Sequence, residues 1–467
     1  MADVDPKITG NRCPGESVQD ILERDSRAVP PSIMEDSWHD LGTASLAADR
    51  YTSAEFFERE KRLMWPRVWQ MAARGDEMPD AGDTVVYNNV GRSYLLVRQG
   101  DGSVKAFHNV CLHRGRLLRN ESGHNDNLEC PFHGFTWNND GSFKRAPCAW
   151  DFTHIKAREF NLPELRVSHF AGFVFVTENA DAPPLEEYIA PLGEIFARWR
   201  LEECTTAIWV GKVIKANWKV VSEAFMEAWH SVVTHPQILP FTGDANTRYS
   251  LWGDHVNLAL TPFGVLSPHL EGQGLGEQDI LDALSGSGSG RLASGLGEQV
   301  PEGSTARRFL ADANRKKFLI DLGYDADDAC DSEMLDAFTY NIFPNLSPWG
   351  GFGGNIVYRW RPWPDQNATL MEVRILARAK KGEPKKRACE MRFLSEDEPW
   401  TTVTDWGKLG AVFEQDMANL PYVQDGLIAS ANNRVELGNY QESRIRQFHQ
   451  TLDKYLGGDL PARDKME

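Results

Sequence analysis

Two cysteine–histidine pairs constrain this chain more than any other feature. The first lies in Cys111-Leu-His113-Arg-Gly115-Arg116 and the second in Cys130-Pro-Phe-His133-Gly134, with sixteen residues between His113 and Cys130. Residues two apart in an extended stretch project to one side, so Cys111 and His113 face the same way. Pro131 and Gly134 supply tight-turn geometry for the second pair. Four soft or borderline donors on two turn-rich loops can converge on metal. Three readings are open: a fortuitous cluster, a tetrahedral zinc with two Cys and two His, and an iron–sulfur cluster with two thiolates on one iron and two imidazoles on the other. The chain has seven cysteines, and the other five are scattered from Cys13 to Cys389, the reverse of a disulfide framework.

Short alternating runs surround these loops, among them Thr84–Tyr87, Ser93–Val97 and Gly172–Val176, broken by Gly-Asp and Asp-Gly turns. They predict a small antiparallel β domain from Asp83 to about Glu178. Residues 1–45 mix Pro, Asp and Ser without sustained periodicity and read as an arm with one short helix near Val18–Arg24. Ser53, followed by Phe56, Phe57, Leu63 and Met64, predicts a capped helix ending before Pro66. Ala182-Pro-Pro-Leu185 marks a junction, and beyond it helical patterns alternate with strands such as Thr369–Leu376, an α+β arrangement. The Gly- and Ser-rich stretch 271–305, including Gly286-Ser-Gly-Ser-Gly290, reads as a mobile surface loop or an active-site lid.

Fifty Lys and Arg against 67 Asp and Glu leave a net charge of −17, which argues against nucleic acid and anionic membrane surfaces as partners. No stretch approaches the roughly 18 consecutive apolar residues of a membrane helix. Met1–Glu16 has neither the basic nor the apolar region of a leader, so the expected location is the cytoplasm.

A second constellation follows Asn217. In Trp218-Lys-Val-Val-Ser-Glu223-Ala-Phe-Met-Glu227-Ala-Trp-His230-Ser-Val-Val-Thr-His235-Pro236, helical spacing places Glu223, Glu227 and His230 on one face. Each Glu alone reads equally as a solvated helix-face acid. His230 and His235 would stand about 140° apart on a regular helix, so they converge only where the helix stops or bulges. Two His with one carboxylate make the facial triad of non-heme Fe(II) oxygenases. Phe225, Met226, Trp229, Val233, Leu239 and Phe241 are apolar neighbours expected to line a substrate pocket, although core packing explains them equally well.

Cys-x-His-Arg-Gly followed by Cys-Pro-Phe-His-Gly resembles the cluster motif of the Rieske non-heme iron aromatic-ring-hydroxylating oxygenases, catalytic α subunits. The segment Phe413-Glu-Gln-Asp416 through Gln424 and the tail Gly438-Asn-Tyr…Phe448-His449 resemble the same family, so the likeness covers about residues 46–450. It implies a [2Fe–2S] cluster with Cys111 and Cys130 on one iron and His113 and His133 on the other. It also implies a mononuclear Fe(II) held by His230, His235 and Asp416, the acid eight positions before Gln424, with Glu414 as fallback. Two positions depart from the pattern. An aromatic, most often Trp, follows the second cluster His by two residues, and here it is Phe135. An Asp usually stands three residues before the first iron His, where it bridges that ligand to a cluster His of the neighbouring subunit. Glu227 stands there instead, as in carnitine-type members.

The fold implied is α+β: a small antiparallel β Rieske domain over 46–182, and a helix-grip-like catalytic domain with a long antiparallel sheet and helices over 183–467. The activity implied is that of a terminal oxygenase, using O2 to cis-dihydroxylate or monohydroxylate an aromatic or other apolar substrate. The alternative is monooxygenation beside N or O, as in demethylases and quaternary-amine enzymes. A Rieske electron carrier and a zinc-stabilised binding module are more distant rivals. NAD(P)H electrons are expected through a separate reductase, with or without a ferredoxin, since the sequence carries no flavin or nicotinamide glycine fingerprint. The family geometry further implies a homotrimer, with or without a small β subunit.

Overall fold

The structure is a computed structural model and describes residues 16–286, 299–353 and 355–457. Among these, alternating β-branched and aromatic runs pair into a seven-stranded antiparallel sheet. Its order is Gln70–Arg74, Phe173–Thr177, Glu164–Phe170, Val104–His108, Arg92–Arg98, Asp83–Asn89 and Gly123–His124. Period two divides the strand Arg92–Arg98 between two cores. Tyr94 and Leu96 pack with Val85, Val174 and Val176, whereas Leu95 and Val97 pack with Phe107, Trp137, Cys111 and Cys130. A three-stranded sheet of Leu128–Glu129, Thr136–Trp137 and Phe143–Arg145 carries the second cysteine loop between its first two strands.

The second domain is built on an eight-stranded sheet ordered Arg248–Trp252, Val256–Thr261, Ala337–Ile342, Leu346–Pro348, Asn355–Pro362, Thr369–Arg378, Cys204–Ile214 and Arg392–Leu394. Its pairing is antiparallel except at the last edge, where Arg392–Leu394 runs parallel to Cys204–Ile214. Helices, among them Ala306–Leu322 and Ser443–Leu456, cover the sheet and complete an α+β fold. None of the described helices is long and apolar enough to cross a membrane.

Three segments tie the units together. In the arm, the helix Val18–Leu22 is capped by Ser17, and Val18, Leu22 and Ile33 bury against Trp69, Trp199 and Phe338. Next, Leu46–Ala47 pairs with Arg434–Val435, and the helix Ala54–Arg59, capped by Ser53, continues into one π turn, Glu60–Met64. That wider turn aims Glu60 inward, where it meets Lys219 at 2.6 Å with both side chains almost fully buried. Residues 46–64 thus pack with the catalytic elements, ahead of the sheet that opens at Gln70. Lastly, Glu372 is ringed by Arg359, Arg361 and Arg374. Arg359 also donates to Met71 O at 3.1 Å and Ala72 O at 2.9 Å, and so links the two sheets.

The Gly/Ser-rich stretch is more ordered at its start than composition suggests. Glu277–Gly286 is a helix that buries Ile280, Leu281 and Leu284, whose helical spacing prevails over the surrounding glycines. The remainder of the Gly286–Gly290 run lies outside the described residues.

Candidate metal centres

The two cysteine loops fold alike. Cys111 N–H donates to Arg116 O at 2.8 Å and Gly115 N–H to Cys111 O at 2.9 Å; Cys130 N–H donates to Phe135 O at 2.8 Å and Gly134 N–H to Cys130 O at 2.9 Å. Gly115 and Gly134 take φ of 74° and 73°, a left-handed turn that glycine adopts without a Cβ clash. This matched pair of loops buries Cys111 and Cys130 together. Burial pushes the Cys111 thiol above its ordinary pKa and Cys130 adds to the shift, so a bound cation would be what holds Cys111 as the thiolate.

His113 and His133 stand nearer the surface, with ring centroids 4.8 Å apart. Phe135, the departure from the usual aromatic, stacks on His113 at 4.5 Å and 18°. Arg119 braces both loops by donating to Asn125 Oδ1, Asn127 O and Glu129 O.

A buried thiol pair beside an imidazole pair nearer the surface is the donor set that a [2Fe–2S] cluster takes, with two thiolates for one iron and two imidazoles for the other.

At the second centre the expected single helix does not form. It runs only from Trp218 to Glu223, because Met226 O accepts from Arg444 and Ala228 N–H donates to Tyr249 Oη, groups a continued helix would use internally. His230 then caps one turn, Ser231–Thr234, and His235 leaves it at φ −128°, ψ 54° before Pro236. The interruption swings the imidazoles together, with ring centroids 5.2 Å apart.

Asp416 reaches them from the helix Leu409–Met417. Its Oδ1 is 2.8 Å from His235 Nε2 and 3.7 Å from His230 Nε2. Each Nδ1 has an acceptor of its own: Glu227 Oε1 at 2.5 Å for His230 and Gln415 Oε1 at 2.9 Å for His235. With the ring protons held there, both Nε2 lone pairs and a carboxylate oxygen aim at one point, a donor set that a metal cation satisfies. Burial alone would lower the pKa of His230, but the hydrogen bond and charge of Glu227, with Asp416 and Asp244, raise it. The fallback Glu414 is turned away and accepts from Thr401 N–H at 3.4 Å.

A cavity of about 310 Å³ adjoins this group, walled by Tyr51, Glu223, Glu227, His230, Asp416 and Glu442, with Val423 and Leu427 on its apolar side. None of the six residues expected to line a pocket borders it. Met226, Leu239 and Phe241 are buried in the core, Phe225 packs on Tyr358 and Trp360, and Trp229 and Val233 are exposed. They were expected there as apolar neighbours of the ligands in sequence, and the helix stop at Glu223 changes the directions in which Phe225, Met226 and Trp229 point. Gln415, Tyr51 and Arg119 were not singled out by the sequence. Gln415 adjoins Asp416, whereas the other two carry no local signal.

Residues 194–458 match the family of ring-hydroxylating alpha subunits (catalytic domain), and residues 68–157 match the Rieske [2Fe-2S] domain. The carnitine monooxygenase oxygenase subunit of Acinetobacter pittii (strain PHEA-2) is 30% identical over 40% of this chain and 51% of its own length. The large oxygenase component of the 2,4-dinitrotoluene dioxygenase system of Burkholderia sp. (strain RASC) is 32% identical over 40% of this chain and 44% of its own. The match thus spans about half the length of these curated relatives. Among solved structures, a quaternary ammonium Rieske monooxygenase superposes with a TM-score of 0.63 at 19% identity, covering 90% of this chain and 96% of that one, a likeness of fold.

Proposed function

The chain belongs to the family of Rieske ring-hydroxylating oxygenase alpha subunits, and from that premise we propose that it is a terminal oxygenase component, inserting oxygen from O2 into a small organic substrate. The observation that carries this reading is the meeting of His230 Nε2, His235 Nε2 and Asp416 Oδ1 within 4.8 Å beside a cavity. When bound, the cluster supplies one-electron transfer and the mononuclear Fe(II) supplies O2 activation. Glu227 and Gln415 hold the two Nδ1 protons and keep both Nε2 atoms free to ligate. Cys111, His113, Cys130 and His133 hold the [2Fe–2S] cluster, and electrons reach it from NAD(P)H through a separate reductase. A dependence on NAD(P)H suits the cytoplasm.

We read the substrate as aromatic or otherwise apolar. Monooxygenation of a quaternary amine is the second reading, favoured by Glu227 in place of the usual Asp and by the carnitine monooxygenase relatives. Assembly is head to tail, as a trimer. Phe132, 55% exposed, lies beside Arg114 near the cluster histidines, and Glu223, Glu227, Glu436 and Glu442 line the cavity beside the triad, so a cationic surface at the cluster of one subunit suits an acidic one at the cavity of the next.

The test is reconstitution with a reductase, NAD(P)H and 18O2, offering aromatic and quaternary ammonium compounds in parallel and scoring label by mass. About three Fe per chain and labelled product are expected. Two Fe per chain without product would make the protein an electron carrier, and zinc would make it a binding module.

A further inference from the structure

Either hydroxylation consumes two electrons and two protons for each O2. Monooxygenation yields an alcohol and water, and cis-dihydroxylation yields a diol. A reductase brings the electrons, and the protons come from solvent by way of whatever acid groups line the site. On the cavity wall stands a group that the ligand set does not use. Glu223 Oε1 lies 2.8 Å from His449 Nε2, Glu223 Oε2 accepts from Tyr51 Oη at 3.1 Å, and Tyr51 Oη is 3.0 Å from His449 Nε2. The three come from distant parts of the chain, and Glu223 and Tyr51 face the same cavity as Glu227, His230 and Asp416.

We propose that Glu223, held by Tyr51 and His449, is the proton donor that feeds the cavity beside the His230–His235–Asp416 centre, an inference resting on the oxygenase reading. The carboxyl O–H bond breaks and its proton enters the cavity. The electron pair stays on the carboxylate, which then accepts from Tyr51 O–H and His449 Nε2–H, and solvent protons restore the acid through the cavity.

The environment suits this cycle. Burial pushes Glu223 up to about 8, against the Tyr51 hydrogen bond and the charges of Lys219 and Arg50, which pull it down. The charged groups around it are paired or buried, and Glu436, which lines the same cavity, pairs with Arg434. Lys219 pairs with Glu60, Arg50 with Asp453, and Glu227 with His230, while Glu442, on the segment leading into the C-terminal helix, is itself raised by burial. His449 is held neutral by burial and by Arg50, and serves as a hydrogen-bond donor rather than a second charge. Glu223 therefore exchanges its proton near neutral pH, where a donor works best.

Infrared titration of the holoenzyme between about pH 6 and 10 should show one protonated carboxyl lost with a midpoint near 8. The band should be absent in Glu223→Gln and moved upward in pH in Tyr51→Phe, which loses a donor to the carboxylate. In single turnover with 18O2, Glu223→Gln should form product at least about tenfold more slowly at unchanged iron content and cluster spectrum. If the band titrates elsewhere or survives in Glu223→Gln, or if that variant turns over like the parent, the donor role is overturned while the oxygenase reading stands. A parent that forms no labelled product with any substrate overturns the oxygenase reading, and the donor role with it, whatever the band does.

Discussion

Replacing Glu227 by Gln tests the metal centre at the point where one atom decides the outcome. The carboxylate uses both oxygens on His230: Oε1 lies 2.5 Å from Nδ1 and Oε2 accepts the backbone N–H at 3.1 Å. An amide of the same shape offers one acceptor and one donor. With its oxygen on Nδ1, its NH2 meets the backbone N–H; reversed, it meets the ring N–H and drives the proton to Nε2, the atom that should ligate. Either way a charge-assisted bond is lost, at a cost of about 1.5–3 kcal/mol, and outer partners of this kind set metal affinity by about 10–100-fold. The Kd for Fe(II) should therefore rise by about 10–100-fold, measured by competition with a chromogenic chelator while the cluster spectrum serves as internal control. Glu227→Asp keeps two acceptors on a shorter arm and should recover part of the loss. A Kd within about twofold of the parent for Glu227→Gln would refute the tautomer argument.

Cys111→Ser or His133→Ala should abolish the brown chromophore by removing a direct ligand, and an unchanged visible spectrum would remove that residue from the cluster. Lys219→Met should cost about 3–5 kcal/mol in denaturant unfolding, since it strands Glu60 in the core. Burial raises Glu60 and lowers Lys219 more than their attraction offsets, so adding Glu60→Gln should restore most of the loss. At Glu372, burial would raise the carboxyl, but Arg359, Arg361 and Arg374 hold it well below its ordinary value of 4.5. The stability it confers is present above about pH 4.5 and is lost as pH falls toward its folded pKa. Glu372→Gln should therefore be less stable than the parent at neutral pH, by a margin that narrows in acid unfolding below about pH 4.5.

The cluster loops were legible in the sequence because their geometry is local. Each has a Cys, a His two or three residues on and a glycine that closes the turn, so spacing alone aims the side chains. The β domain was legible for the same reason, since period-two alternation in Arg92–Arg98 already divides the strand between two faces. Glu227 and His230 are likewise within one turn of each other, and their contact needs no distant partner.

What only the tertiary structure decided depends on groups far apart in the chain. Asp416 lies 181 positions from His235, and from the residues alone it was one acid among several until the fold brought its helix to the imidazoles. That the six apolar residues do not border the cavity beside the triad has a related reason. Helical periodicity predicted one helix carrying Glu223, Glu227 and His230, with a stop or bulge before His235, but Arg444 and Tyr249 take up backbone groups at Met226 and Ala228 and the helix ends at Glu223. Tyr51 and His449, 398 positions apart, meet at Glu223 because the segment before the β domain and the last helix pack on the same side of the catalytic core. Local spacing can specify a ligand pair, but a cavity wall is assembled by packing, and packing is a property of the whole chain.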